Sequence, residues 1–499
     1  MSFSRTSRAA LLGFGVALGC AGTGRVLPSG GGGWREVSSA HFAVRTDLSS
    51  ADARAASAYL EQSRAALIAV FGPRADRPQA SPTEVTVFAD GLEFEHYFSR
   101  RVLGLYTRSE YPERIVLWGP PSRWEQRSTL AVEGHSSVLK HEMTHALAAG
   151  VYIRQPRWFN EGMAQFLETF ELSPDGRSAT FGMANLKALR FYNQNRSVSL
   201  ADAFAWDHVA LDAQSDGEFS GHYGLSWALT HWFFNTHLKE FSVLQEGYAK
   251  GRSPELAWKA AMGGARLEDL DVTLNQYVKH GDYQVFVLPV AASGGVVRER
   301  MLTPAQVATL HGEMALVGLS LTGEHQDSKR AEAKADFAQV LAVDPADVGA
   351  LSLQKYSSPQ ERFQAAQRAV ATHPDDAGAW RLLALALKAG PEEMEAMRHA
   401  LALEPNDPLM LNNLAWAESQ TGQVAAALEK AERAVNFVPW SFSYVDTLAV
   451  VLMKSHRCAE ALVTAQRAVD LLPENLPAAS RAQFEGGVER IRTGCHPTP

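Results

Sequence analysis

Apolar positions change their spacing twice along this chain. Between Trp34 and Pro121 they fall into short stretches: His41-Phe42-Ala43-Val44-Arg45-Thr46 has the two-residue period of a half-buried strand, and Glu84 to Phe88 is β-branched. Ile115-Val116-Leu117-Trp118 predicts another strand, closed by Gly119-Pro120-Pro121. Ala51 to Phe71 is an Ala- and Leu-rich amphipathic stretch and predicts one long helix among these strands. This part reads as a small α/β layer. From Ser136 to about Val278 the spacing becomes mainly helical, with breaks near Pro156, Pro174 and Asp216-Gly217. Tyr283 to Pro289 predicts one more strand, and Ala291 to Val297, with its two glycines, a connector.

Beyond the connector the pattern repeats. Pro345, Pro374, Pro405, Pro439 and Pro473 each close an Ala-rich helix, and the last two intervals are both 34 residues. Counting back from Pro439 finds Leu411, Leu414, Ala415, Ala427 and Ala434 where two packed helices need a large or a small side chain; Pro473 repeats this with Leu448, Ala449, Ala461 and Ala468. Trp380, Leu383 and Ala384 open a shorter unit. In period and residues the region resembles the tetratricopeptide-repeat family over roughly 305 to 475. The resemblance implies an all-α solenoid over 305–495, capped by a C-terminal helix and able to recruit a protein partner. A non-repetitive helical domain is the alternative.

At the other end, Arg5 and Arg8 precede an apolar stretch, Ala9 to Gly19, too short to span a bilayer, as in an export signal. It ends in Ala17-Leu18-Gly19-Cys20, which resembles a bacterial lipoprotein signal, with Ala17 where that signal usually carries Leu. The resemblance implies a signal peptide over 1–20 and a lipid on Cys20. The chain would then be exported and held at a membrane of the cell envelope, on its periplasmic or extracellular side. Residues 21–33, rich in Gly, have the composition of a flexible tether. The expected divisions are therefore 1–20, 21–33, a first folded unit over 34–282, a linker over 283–304, and the repeats.

Composition narrows the function. A chain of 499 residues is long enough for two or three domains, and its net charge of −8, without long basic runs, excludes nucleic acid as a partner. Of three cysteines, Cys458 and Cys495 remain as an even pair once Cys20 is set aside. They read as a disulfide or as two buried thiols, and not as metal ligands, since no CxxC spacing occurs.

The chemistry lies where the strands give way to helices. In His141-Glu142-Met143-Thr144-His145, residues four apart share one helix face, so both imidazoles can reach one ion with Glu142 beside it. Val138, Leu139 and Leu147 supply a core-facing side, and Ser136 or Ser137 a cap. A catalytic zinc takes three protein ligands and keeps a fourth position for water, so a third is required. Sixteen residues on, Glu161 lies within Arg157-Trp158-Phe159-Asn160-Glu161-Gly162-Met163-Ala164, and Pro156 can start the helix that carries it back.

This segment resembles the third-ligand helix of gluzincin metallopeptidases, including aminopeptidase N-like enzymes. The order of α/β piece, His-Glu-x-x-His helix and Trp-x-Asn-Glu-Gly-x-Ala helix resembles the peptidase MA-like domain over roughly 34 to 280. The resemblance implies an α+β zincin-like domain, a small mixed sheet with a helical active-site subdomain. It implies one Zn2+ per chain on His141, His145 and Glu161, with Glu142 as general base and acid. Tyr223 stands as far from Glu161 as the catalytic tyrosine of aminopeptidase N-like enzymes and is the expected oxyanion donor, with His222 next. The short connection between the motifs and the absence of a Gly-Ala-Met-Glu-Asn-type segment argue against an aminopeptidase. His135, His231 and His237 lack ligand spacing and read as surface or hydrogen-bonded histidines. Asn160 and Glu168 are candidates to orient the ligands, and the sequence does not choose between them.

Two functions from different classes follow. One is a zinc endopeptidase acting on a protein or peptide at the envelope. The other is a scaffold whose working part is the repeat array, with a non-catalytic zincin-like domain.

Overall fold

The structure is a computed structural model and describes residues 33–98, 104–107, 113–124, 135–206, 216–293, 295, 298–322, 326–472 and 478–495. The expected signal, Cys20, nearly all of the tether and Pro473 lie outside the described residues.

The first layer is built from β1 (Arg35–Ser38), β2 (Phe42–Thr46), α1 (Ser50–Phe71), β3 (Thr83–Phe88), α2 (Gly91–Tyr97), β4 (Leu105–Thr107), β5 (Arg114–Trp118) and α3 (Pro121–Trp124). Ser49 caps α1 by accepting from the Asp52 backbone N–H, which satisfies one of the helix's free donors. A helical region follows: α4 (His135–Val151), α5 (Arg157–Leu167), a short hairpin β6 (Glu171–Leu172) and β7 (Ser178–Phe181), then α6 (Leu186–Gln194), α7 (Leu200–Ala205), α8 (Asp216–Thr236), α9 (Leu238–Ala249), α10 (Pro254–Met262) and α11 (Leu267–His280).

Residues 283–304, expected to be a linker with one strand over Tyr283 to Pro289, carry that strand and a second one, and both return to the first unit. β8 (Phe286–Pro289) pairs antiparallel with β7, and β9 (Arg298–Met301) pairs antiparallel with β1. The six-stranded sheet runs β4-β5-β3-β2-β1-β9, with β2, β3 and β5 mutually parallel. One face carries Val37, Val44, Val85, Val87, Ile115 and Leu117 into a core shared with α1 and α4.

The opposite face is crossed by a row of alternating charges, one from each of five strands. Arg114 meets Glu84 at 2.7 Å, Glu84 meets Arg45 at 3.2 Å, Arg45 meets Glu36 at 3.1 Å, and Glu36 meets Arg300 at 2.9 Å. Burial alone would raise the Glu84 carboxyl, but Arg45 and Arg114 hold it below its ordinary range.

The array starts on this same face. α12 (Pro304–Thr322), α13 (Gln326–Val343) and α14 (Val348–Leu353) place Leu310, Met314, Phe337 and Val340 in one core with Trp34, Phe88, Phe94 and Tyr97. Glu313 on α12 extends the ionic row to Arg114 at 2.6 Å. Then come α15 (Pro359–Thr372), α16 (Ala377–Ala386), α17 (Pro391–Leu403), α18 (Pro408–Gln420), α19 (Val424–Phe437), α20 (Phe442–Lys454), α21 (Cys458–Asp470) and α22 (Ala478–Cys495). Consecutive helices pack as pairs, α16 with α17, α18 with α19 and α20 with α21. Leu411, Leu414, Ala415, Ala427, Ala434, Ala449, Ala461 and Ala468 are all buried between them. Pro345, Pro374, Pro405 and Pro439 each follow a helix by two residues.

Cys458 and Cys495 form a disulfide with a Cα–Cα distance of 5.5 Å, tying α22 to the start of α21. The far end of the array returns to the first unit. Arg77 donates to the Gly150 carbonyl at 2.7 Å and also to the Asn436 carbonyl, and Arg154 lies 3.5 Å from Asp470. Between the charged sheet face and the array a cavity of about 1340 Å³ remains, lined by residues such as Arg45, Glu84, Arg300, Asp347, Arg381 and Tyr444. No described helix is long and apolar enough to cross a membrane.

Candidate metal centre

α4 turns Leu139, Met143 and Ala148 into the core, which leaves His141 and His145 together on a flank facing α5. The two rings meet edge to face with centroids 4.7 Å apart. α5 follows a five-residue turn, with Pro156 at its N-cap position. It is held by Trp158, Phe159, Met163 and Phe166, each essentially buried. Full burial of one such side chain contributes roughly 1.5–3 kcal/mol. The opposite side of α5 carries Asn160, Glu161 and Glu168 back toward α4.

Glu161 Oε2 lies 3.3 Å from His141 Nε2 and 3.6 Å from His145 Nε2. One ligand atom from each of His141, His145 and Glu161 falls within 4.8 Å of the others, the one such group among the described residues. The second nitrogen of each imidazole is engaged: His141 Nδ1 with Glu168 Oε2 at 2.7 Å, and His145 Nδ1 with Asn160 Oδ1 at 2.9 Å. Both second-sphere candidates are thus used, one on each histidine. Glu161 Oε2 is buried with no hydrogen-bond partner. A buried carboxylate oxygen without a donor is costly, and a cation between it and the two Nε2 atoms would satisfy all three.

Charge in the site follows the same geometry. Burial works against a charged His141, but Glu161 and Glu168 outweigh it and raise its basicity well above the ordinary value. Burial also opposes ionisation of Glu161, yet the His145 charge and the contacts to both imidazoles hold its carboxyl below the usual range. Glu142 responds in the other direction, since burial pushes its carboxyl up despite the neighbouring imidazoles.

Tyr223 reaches the site from α8. Burial first, and then the Glu161 carboxylate beside it, raise its phenol well above the ordinary value. Its backbone carbonyl accepts from Gln165 Nε2 at 2.9 Å, which fixes α8 to α5. Close passage of the helices depends on glycines: a β-carbon on Gly224 would meet the Tyr192 backbone nitrogen at 2.3 Å, so α6 and α8 touch backbone to backbone.

Other expected residues lie elsewhere. His222 stacks on Trp206 at 4.8 Å and gives Nδ1 to its own helix, at the Glu218 carbonyl. His231 is buried between the Tyr277 hydroxyl and the Gly182 carbonyl. His237 is half-buried and stacks on Trp232. The side chains of His135, Ser136 and Ser137 lie outside the described residues. One residue was not anticipated: Asn185, buried at the N-cap of α6, donates Nδ2 to Glu168 Oε1 at 2.6 Å.

A family described as "Protein of unknown function (DUF1570)" matches residues 135–253, less than half of the chain. That stretch starts with α4 and contains His141, His145, Glu161 and Tyr223. No curated protein matches. Among solved structures, one crystal structure of MamA has a TM-score of 0.26 and 15% identity, covering 36% of this chain and 96% of that one. A second has 0.25 and 16%, covering 30% and 92%. Similarity at these scores defines neither fold nor function here.

Proposed function

We propose that this chain is a zinc-dependent peptidase of the gluzincin type, with His141, His145 and Glu161 holding the metal. The observation that carries the proposal is the buried, unpartnered Glu161 Oε2 facing two imidazole nitrogens whose opposite nitrogens are already bonded. Two imidazoles and one carboxylate suit zinc, and three protein ligands leave a position for water and substrate. When bound there, zinc supplies Lewis acidity and brings water to a pKa of about 7.

The protein's own groups then divide the work. Glu142, one residue from His141 and kept more basic than an ordinary carboxylate, accepts the proton of the attacking water and passes it to the leaving amine. Tyr223, kept protonated by burial and by Glu161, donates its phenolic hydrogen to the oxyanion. Glu168 and Asn160 hold the imidazoles with Nε2 forward. The substrate is a protein or peptide of the envelope cut internally, and the array, of tetratricopeptide type, recruits it or a partner. Export and a lipid on Cys20 belong to the same proposal.

The cavity between sheet and array supports a second reading, in which the chain is a scaffold. None of the metal-facing residues lines that cavity, so binding there does not need the metal centre. Zinc per chain, measured by elemental analysis on residues 21–499 and on Glu161→Ala, separates the two. About one zinc in the parent and clearly weaker retention in the variant are expected. A parent that holds none after zinc is supplied would leave the scaffold as the function.

A further inference from the structure

We infer that Asn185 is a positioning residue for the metal centre, acting on His141 through Glu168; the inference rests on the zinc site proposed above. A histidine ligand works only if its ring is held with the coordinating nitrogen forward, and the hydrogen bond on the other nitrogen does this. For His141 that bond goes to Glu168 Oε2. Glu168 has three rotatable side-chain bonds and stands at the end of α5, as its C-cap. By itself it is a loose support.

Asn185 removes the looseness. Its Nδ2 donates to Glu168 Oε1 at 2.6 Å and to the Gln165 carbonyl at 3.1 Å. Its Oδ1 accepts from the backbone N–H of Lys187 at 3.2 Å and of Ala188 at 3.1 Å. The amide thus uses both hydrogens and both lone pairs in a buried setting. Its orientation is determined as well, because a flip would set oxygen against the Glu168 carboxylate and the Gln165 carbonyl, and NH2 against two N–H groups. The Glu168 carboxylate is therefore held at both oxygens, one by Asn185 and one by His141.

The chain of contacts runs from the N-terminus of α6, through the last turn of α5, to the metal-facing histidine of α4. α6 also packs backbone to backbone against α8 at Gly224, next to Tyr223. Asn185 therefore sets the register of a metal ligand relative to the helix that carries the oxyanion donor.

The two roles of Asn185 separate by substitution. Asn185→Ser keeps an N-cap oxygen for α6 but is too short to reach Glu168. Zinc affinity of the full chain is measured by chelator competition for the parent, Asn185→Ser, Glu168→Ala and the double variant, with melting temperatures of the metal-free forms alongside. Asn185→Ser, which also loses the bond to the Gln165 carbonyl, is expected to lower the metal-free melting temperature in both backgrounds, to weaken zinc binding about tenfold to a hundredfold in the parent background, and to add nothing to that weakening in the Glu168→Ala background. A residue that merely stabilised α6 would give the same loss of zinc binding in both backgrounds, and that additivity would overturn the inference. So would a variant that holds zinc as tightly as a zinc-binding parent. A parent that binds no zinc overturns the proposed function, and this inference with it.

Discussion

A β-carbon on Gly162 would lie 2.2 Å from Thr230 Oγ1, and 2.5 Å from the Ser226 carbonyl on the same helix. At the residue that follows Glu161, α5 and α8 therefore pass in direct contact, on the helix that carries Tyr223. Gly162→Ala must separate the helices. Overpacking of this kind costs about 1–3 kcal/mol, and the contact with helix backbone places the expected loss at the upper end. Urea denaturation of parent and variant measures it; equal midpoints would show that the helices have room.

Glu142→Gln preserves shape and removes the base. The variant is expected to retain about as much zinc as the parent, and to lose at least a hundredfold in any cleavage the parent performs. Elemental analysis and a cleavage assay on a blocked peptide, run on the same preparation, check both halves. Cleavage persisting in the variant would remove Glu142 from the mechanism.

His231 makes acid a stress on the fold. Burial pushes its imidazole down to about 4, while its ordinary value is 6.5. The ring sits among Phe166, Trp227, Tyr277 and Tyr283, with the Gly182 carbonyl on one nitrogen. The unfolded chain binds a proton here below pH 6.5 and the folded one does not until about 4. Stability contributed by the neutral ring is therefore present above pH 6.5 and lost as pH falls through that window, by about 3 kcal/mol in all. In His231→Gln this part of the loss is absent. Urea midpoints at pH 7 and 4.5 test it; an unchanged acid sensitivity in the variant would locate the loss elsewhere.

Cutting the chain at residue 282 should fail where cutting after 353 succeeds. The shorter fragment lacks β9 and α12 to α14, and so exposes Trp34, Phe88, Phe94 and Tyr97 beside an open sheet edge. It is expected to bind a hydrophobic dye and to aggregate in size-exclusion chromatography, while residues 33–353 run as a compact species. A monodisperse 33–282 fragment would show that the second face of the sheet needs no cover.

Much of this architecture was legible because local patterns carried it. The alternation in β2, the β-branched run of β3 and the proline period of the array each encode one element within a few residues. The pair His141 and His145 was legible through helix geometry, and Glu161 through its setting. β9 was not, because Arg298-Glu299-Arg300-Met301 has no apolar stripe: as an edge strand it is tied on by ions, Arg300 to Glu36 and Glu299 to Arg35 and Arg54. Asn185 was missed for a similar reason. Its partner Glu168 lies 17 residues away with a hairpin between, and no periodicity links the two.

The pairing of β1 with β9 also sets a schedule. Ser38 faces Arg298 and Arg35 faces Met301 across some 260 residues of intervening chain. A ribosome must therefore deliver the whole region that carries His141, His145 and Glu161 before the first strand acquires its outer neighbour. Until then the newborn sheet has an unsealed margin, and contacts of such long separation form late. Later still, α19 meets Arg77 through the Asn436 carbonyl and α21 meets Arg154 through Asp470, near the end of synthesis.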